Sequence, residues 1–244
     1  MIIYGRNPVR EALRGRRAAS VAELWAAPGA AREPWLQGLP VRSATGEEIE
    51  RRCGSSAHQG LCADAGAYPY VGVDDLLSLQ SPLLVALDQI QDPQNLGSIC
   101  RTAECAGAAG VVIPDRRAAE VTPAVCKASA GAVEHLPLAH VRNMADFLAQ
   151  ARRAGCWCYG ASAAGRAGGR PTLPYDAPDY GGSGVVLALG GEGSGLRPRV
   201  AKACDELIAL PLLGRIGSLG VSAAAAALLY EILQSRARGV DKAP

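Results

Sequence analysis

The sequence predicts an α/β protein in which a small N-terminal unit precedes a larger one built on a mainly parallel sheet. Three observations lead there. Apolar residues make up 49% of the 244 and charged residues 20%, a balance that fits packed cores and excludes a wholly disordered chain. Continuous apolar runs at residues 83–87 and 185–189 have the character of strands buried on both faces. Helical segments alternate with such runs, as crossovers between parallel strands require.

The elements follow in order. Asn7-Pro8 opens a helical pattern with Val9, Leu13 and neighbouring alanines on one side and arginines on the other. Short apolar runs come at residues 21–26 and 39–41. Residues 45–52 read as a polar helix around Ile49, and Thr45 and Glu48 have capping-box spacing. Residues 58–63 begin a last strand. The expected domains are residues 1–75 and 83–244, joined by residues 76–82. In the larger unit a strand at 83–87 leads through a polar loop at 88–95 into a helix at 96–107, then a strand at 110–114. A helix at 145–154 and a strand at 156–160 come next. Residues 165–184, rich in Gly, Pro and Arg, read as a mobile loop. Strands at 185–189 and 207–210 precede a C-terminal helix over 221–238.

Composition narrows the chemistry. Aromatics are 5%, with Phe147 the single Phe, so the core must be built from Ala, Val, Leu and Ile. The eight cysteines include no Cys-x-x-Cys pair, and no apolar targeting run opens the chain, so reduced thiols and a cytoplasmic location are expected. Cys156 and Cys158 lie two apart in a strand and share a face. No metal site is expected. The apolar run at 221–230 is about half a membrane span, so no membrane anchor is expected either. The net charge of +2 says nothing of partners, but 22 of the 25 basic residues are Arg. That bias suits phosphate recognition, and it is equally what an arginine-biased genome would give.

Three glycine-punctuated loops follow strands, where sites form in such sheets. They are residues 88–103, 189–196 and 210–222. None has the spacing of a P-loop or of a dinucleotide-binding turn, which disfavours nucleoside triphosphates and NAD.

These loops contain Asn95-x-Gly97-x-x-x-Arg101-Thr-Ala, then Gly190-x-Glu192-x-x-Gly195, then Leu210-Pro followed by Ser218-Leu-Gly-Val-Ser222. In order and spacing they resemble the three motifs of the SpoU (TrmH) family of RNA ribose 2′-O-methyltransferases, members of the SPOUT superfamily. The resemblance covers residues 83–236. The N-terminal unit is similar to the family's substrate-binding domain through Tyr4-Gly-x-x-Pro8-Val-x-Glu-Ala-Leu13 and His58-Gln-Gly60. The nearest subgroup is the RlmB-like one that methylates guanosine in 23S ribosomal RNA.

The resemblance implies a deep trefoil knot, S-adenosyl-L-methionine (SAM) held in it, and a homodimer with the site near the subunit interface. It implies Asn95, Arg101, Glu192 and Ser218 as the catalytic set. Arg101 corresponds to a proposed base or phosphate anchor. A guanidinium stays protonated, so phosphate binding and alkoxide stabilisation ask less of it. Asn95 would orient Arg101 or the ribose, and Glu192 would fix Arg101 or a nearby backbone group. SAM would lie against Leu189, Gly190, Gly191, Gly193, Leu210, Ser218 and Leu219, mainly through backbone groups. RNA capture falls to Arg6, Arg10, Arg14 and Arg17, whose spacings give overlapping helix faces. Residues 1–75 carry nine basic and nine acidic residues, so that footprint is a patch. One departure stands out: Gly220 occupies a position where the family usually has Asn. A transfer-RNA substrate, or an RNA-binding or ribosome-assembly protein that has lost catalysis through Gly220, are the alternatives.

Overall fold

A computed structural model of the chain describes residues 1–162, 166–167, 170–193 and 195–240. The N-terminal unit comprises β1 (Ile2–Tyr4), α1 (Arg6–Ala12), β2 (Glu23–Ala26), β3 (Val41–Ser43), α2 (Gly46–Cys53) and β4 (Leu61–Asp64). Its four strands form a sheet in the order β1-β4-β2-β3, with β4 antiparallel to both neighbours and β2 parallel to β3. α2 begins where the capping spacing puts it. The Glu48 N–H donates to the Thr45 hydroxyl at 3.2 Å, and the Thr45 N–H donates to the Glu48 carboxylate at 2.7 Å. Two otherwise orphaned amide protons are thereby satisfied. α1 is shorter than the arginine pattern predicts. It ends at Ala12, and the chain turns onto the second unit as the Arg16 N–H donates to the Glu134 carbonyl at 2.9 Å.

The join carries structure of its own. α3 (Val73–Leu77) buries Leu76 against the larger sheet, and Val71 pairs with Ala139. The second unit then runs β5 (Leu83–Asp88), α4 (Pro93–Cys105), β6 (Gly110–Pro114), α5 (Pro123–Ala128), β7 (Leu138–Val141), α6 (Met144–Arg153) and β8 (Cys156–Ala161). Three two-residue strands follow: β9 (Arg166–Ala167), β10 (Arg170–Pro171) and β11 (Leu173–Pro174). The chain ends with β12 (Gly184–Gly190), α7 (Pro198–Ala203), β13 (Glu206–Ala209) and α8 (Val221–Val240). Seven strands make one sheet in the order β11-β13-β8-β12-β5-β6-β7, and every pairing in it is parallel. β5 and β6 are buried along their whole length, which explains their uninterrupted apolar sequence.

The expected loop at 165–184 is only partly a loop: its described part contains β9, β10 and β11, and Tyr180 is 1% exposed. Residues 165, 168 and 169 lie outside the described residues. The core is continuous across the two units. Ile3, Val9 and Leu61 belong to the same packed cluster as Val85, Leu87, Ile99 and Leu138. A second cluster fills the opposite face of the large sheet, under α6 and α7. α8 doubles back after β13 to pack on α4 and β12, burying Ala225, Leu228, Leu229 and Ile232.

Candidate active site

The three glycine loops meet at the carboxyl ends of β5, β12 and β13, and each contributes a side chain to one hydrogen-bonded group. α4 starts at Pro93, with Asp92 as its cap: the Asp92 carboxylate accepts the Gln94 N–H at 2.9 Å. Asn95 therefore lies in the first turn and is free for other contacts. Its amide nitrogen donates to Glu192 of the β12 loop. Its amide oxygen accepts the hydroxyl of Ser222, from the first turn of α8, at 2.5 Å. Ser222 stands in this network where the sequence reading had Ser218. The Ser218 hydroxyl instead accepts the Gly220 N–H at 3.1 Å and closes its own loop.

Beside this group is a cleft of about 290 Å³ between the β12 loop and the segment from β13 to α8. Leu189, Gly190, Gly191, Gly193, Leu210, Ser218 and Leu219 all line it, together with Glu192. Ile208, Ala224 and Leu228 complete an apolar floor. The loop geometry explains two of the motif glycines. A Cβ on Gly190 would lie 2.0 Å from the Gly195 carbonyl carbon, because the loop folds back on itself there. A Cβ on Gly97 would lie 2.5 Å from the Cβ of Ala128, because α4 and α5 touch at that point. The fold of the β12 loop is pinned from β5. Asp88, 1% exposed, accepts from the backbone and side chain of Arg197, with the closest approach 2.6 Å.

Arg101 is elsewhere. Six residues beyond Asn95 on α4, it is about 9 Å further along the axis and on another face. It is exposed and lines a groove of about 390 Å³ against α1, with Arg10, Glu11 and His135. No contact joins it to Asn95 or Glu192, so within one chain the expected Asn95–Arg101 and Glu192–Arg101 pairings do not form.

The arginine face also needs correction. Arg17 is 1% exposed and forms a two-point ion pair with Glu134, so it cannot offer its guanidinium to RNA. Burial disfavours its charge, but the hydrogen bond and charge of Glu134 more than offset this and hold its pKa above the ordinary value. The spacing rule placed Arg17 on a helix that has already ended at Ala12. Of the rest, Arg6 pairs with Glu33 at 2.7 Å, Arg10 with Glu11 at 2.7 Å, and Arg14 is exposed in the turn after α1.

Comparison with known proteins bears on this geometry. Residues 82–230 match the SpoU rRNA Methylase family, and residues 2–71 match a family described as RNA 2′-O ribose methyltransferase substrate binding. The chain belongs to the SpoU rRNA methylase family. It is 36% identical over 247 residues to YacO of Bacillus subtilis (strain 168), which is assigned by name to the TrmH family of tRNA/rRNA methyltransferases; the match covers 96% of this chain and 95% of YacO. Among solved structures it is similar to an AdoMet-bound rRNA methyltransferase from Sinorhizobium meliloti, at 26% identity and a TM-score of 0.75, covering 96% of this chain and 86% of that one. The fold is also that of the SpoU methyltransferase AviRb from Streptomyces viridochromogenes in complex with AdoMet, at 23% identity and a TM-score of 0.78, covering 98% and 91%.

Within this SpoU chain, two site residues escaped the sequence reading. Ser222 was visible as the end of the third motif, but its partner on α4 was not. Asp88 ended an apolar run and carried no motif of its own; an acid closing a fully buried strand was the available signal. Among the described residues no group of three or more His, Cys, Asp or Glu is placed to hold a metal, and no helix is long and apolar enough to cross a membrane.

Proposed function

We propose that this SpoU methyltransferase transfers a methyl group from SAM to a ribose 2′-hydroxyl of structured RNA, with guanosine in 23S ribosomal RNA as the target class. The observation that carries the reading is the convergence of Asn95, Glu192 and Ser222, with Glu192 in the lining of the cleft. The cleft suits SAM. The glycines of the β12 loop bring backbone into the lining, while Leu189, Ile208, Leu210 and Leu219 offer apolar surface for an adenine. When bound, SAM supplies an electrophilic methyl on a sulfonium.

This chain's own residues do the rest. Glu192 is the only carboxylate among the described residues lining the cleft, and it would be the group to accept the proton of a ribose 2′-hydroxyl brought to this wall. Asn95 holds Glu192, and Ser222 holds Asn95, which fixes the carboxylate's direction. Arg101 and Arg10 face a shared groove and contact the phosphates of the same RNA, with Arg6 and Arg14 extending the patch. The protein works in the cytoplasm as a homodimer. The third loop exposes Leu213 at 99% and Ile216 at 76%, an apolar edge suited to a second copy.

Methylation mapping of total RNA with and without the gene tests the reading. The loss of one 2′-O-methyl mark in 23S ribosomal RNA is expected. An unchanged map, or a mark lost from transfer RNA, counts against it. Light scattering that gives a mass near the 25.2 kDa of one chain counts against the dimer.

A further inference from the structure

We infer that a second, polar pocket on the far side of Glu192 receives the base of the nucleotide being methylated, and that Gln89 and Gln91 read it. This rests on the cleft being the 2′-O-methyltransferase site. Gly191 and Glu192 line both spaces, the cleft and a pocket of about 270 Å³ whose other walls include Gln89, Gln91, Asp92 and Asn95. A single wall bearing the Asn95–Glu192 hydrogen bond thus separates them.

Geometry and charge decide what enters. Methyl transfer needs the ribose hydroxyl in line with the donor at about 3–3.5 Å, so the ribose must sit at that wall. The base is attached at C1′, next to the C2′ that bears the reacting oxygen, so with the ribose at this wall the base has room in the pocket on its other side. Among the described residues the pocket's lining holds the carboxylates of Asp92 and Glu192 and no Lys or Arg, so it repels phosphate and suits a neutral base.

The amides are uncommitted. Asp92 is occupied in capping α4, and Asn95 in its bonds to Glu192 and Ser222. Among the described residues, the side chains of Gln89 and Gln91 make no hydrogen bond. Each presents one acceptor and two donors, the pattern that meets the polar edge of an extruded base. The backbone beneath them is held. The Ile90 carbonyl accepts the Ala119 N–H at 2.8 Å, and the side chain of Ile90 is buried. The Gln89 carbonyl packs on Gly191, where a Cβ would approach it to 2.9 Å. Amides that pair with one base edge discriminate because a wrong base leaves them unpaired.

The test uses the full chain, SAM with a tritiated methyl group, and total RNA from cells lacking the gene, digested afterwards to nucleosides. The unaltered protein is expected to label the ribose of mainly one of the four nucleosides. Gln89→Ala with Gln91→Ala is expected to lower transfer by about 10- to 100-fold and to spread the label to at least one other nucleoside. SAM affinity by calorimetry should not change. Gln91→Glu keeps the size but removes the donor and should shift the choice of nucleoside. Wild-type rate and selectivity in the double variant overturn the inference. So does a loss of SAM affinity that parallels the loss of rate, because the pair would then merely support the cofactor loop. If the unaltered protein labels no ribose, the methyltransferase-site reading itself fails, a result distinct from equal labelling by both proteins.

Discussion

The pair Arg17–Glu134 offers a measurable test of how the two units are held together. The partners are 117 residues apart, with side chains 1% and 0% exposed. Arg17 Nε donates to Glu134 Oε2 at 2.8 Å, and Nη2 donates to the other carboxylate oxygen. The guanidinium also lies over the Tyr68 ring, 5.5 Å from its centroid, and the Tyr68 hydroxyl donates to the carbonyls of Val133 and Leu136. Glu134→Gln leaves the guanidinium buried without its counter-charge. Breaking one side of such a pair costs about 3–5 kcal/mol. For a chain of this size, that lowers Tm by roughly 6–20 °C. Arg17→Met alone should also destabilise. The double change Arg17→Met with Glu134→Gln should lose less than the two single losses added, because neither partner is left as a lone buried charge. Urea unfolding of all four proteins at pH 7 gives the coupling directly. A cost below about 1 kcal/mol for Glu134→Gln, the range of an exposed pair, or strict additivity in the double variant, would refute the reasoning.

Much of the large unit was legible in the sequence because burial on both faces leaves a plain signature. The strands at 83–87 and 185–189 were read from continuous apolar runs, and those at 110–114 and 156–160 from their place in the strand–helix alternation. Elements with mixed composition were missed. β7, Leu-Ala-His-Val, is half-buried at its end, and α5 is only six residues long, with a proline at its start and the cap on Thr122. α3 was hidden because a short acidic segment looks like a linker. Only its contact through Leu76 makes it part of the fold. Local sequence carries no term for such long-range packing.

The site was legible in its motifs but not in its pairings. All seven residues named for the cofactor line one cleft, since loop spacing in a parallel sheet brings strand ends together. Which side chain meets which depended on helix phase. Asn95 and Arg101 share a motif but, six residues apart, point from different faces of α4. Arg17 misled for a related reason: the four-and-three spacing holds only while the helix lasts, and α1 ends at Ala12.

Three further predictions can be measured. Glu11 tests pH dependence. Burial raises its pKa, but His135 and Arg10 outweigh that and hold it below the ordinary carboxylate value. The stability it contributes is therefore fully present above the unfolded value of about 4.3 and is lost as pH falls through the lower folded value. Glu11→Gln should flatten the decline of urea stability below about pH 4.3, and parallel curves would contradict this. Thiol chemistry should follow burial. Cys105 is exposed, whereas burial pushes the thiol of Cys62 up to about 11 and those of Cys100, Cys126 and Cys204 up to about 12. Brief iodoacetamide treatment at neutral pH, read by peptide mass, should modify Cys105 first and these four only after unfolding. The last prediction concerns Gly220 and Arg101 together. The φ of Gly220 is +77°, and a Cβ there would meet nothing within 4 Å, so space does not forbid a side chain and only the backbone conformation resists one. Asn tolerates that conformation better than most residues, so Gly220→Asn should cost about 1 kcal/mol or less, while Gly220→Val should cost more. The amide would then sit in the loop between Ser218 and Ser222, beside the cleft. Single-turnover transfer to the mapped RNA should be equal or faster in Gly220→Asn. Arg101→Ala should lose about 10²–10³ in rate with SAM affinity unchanged. Full activity in Arg101→Ala sinks the phosphate role. If the parent is inactive and Gly220→Asn restores transfer, the chain binds RNA without methylating it, and the missing amide is the reason.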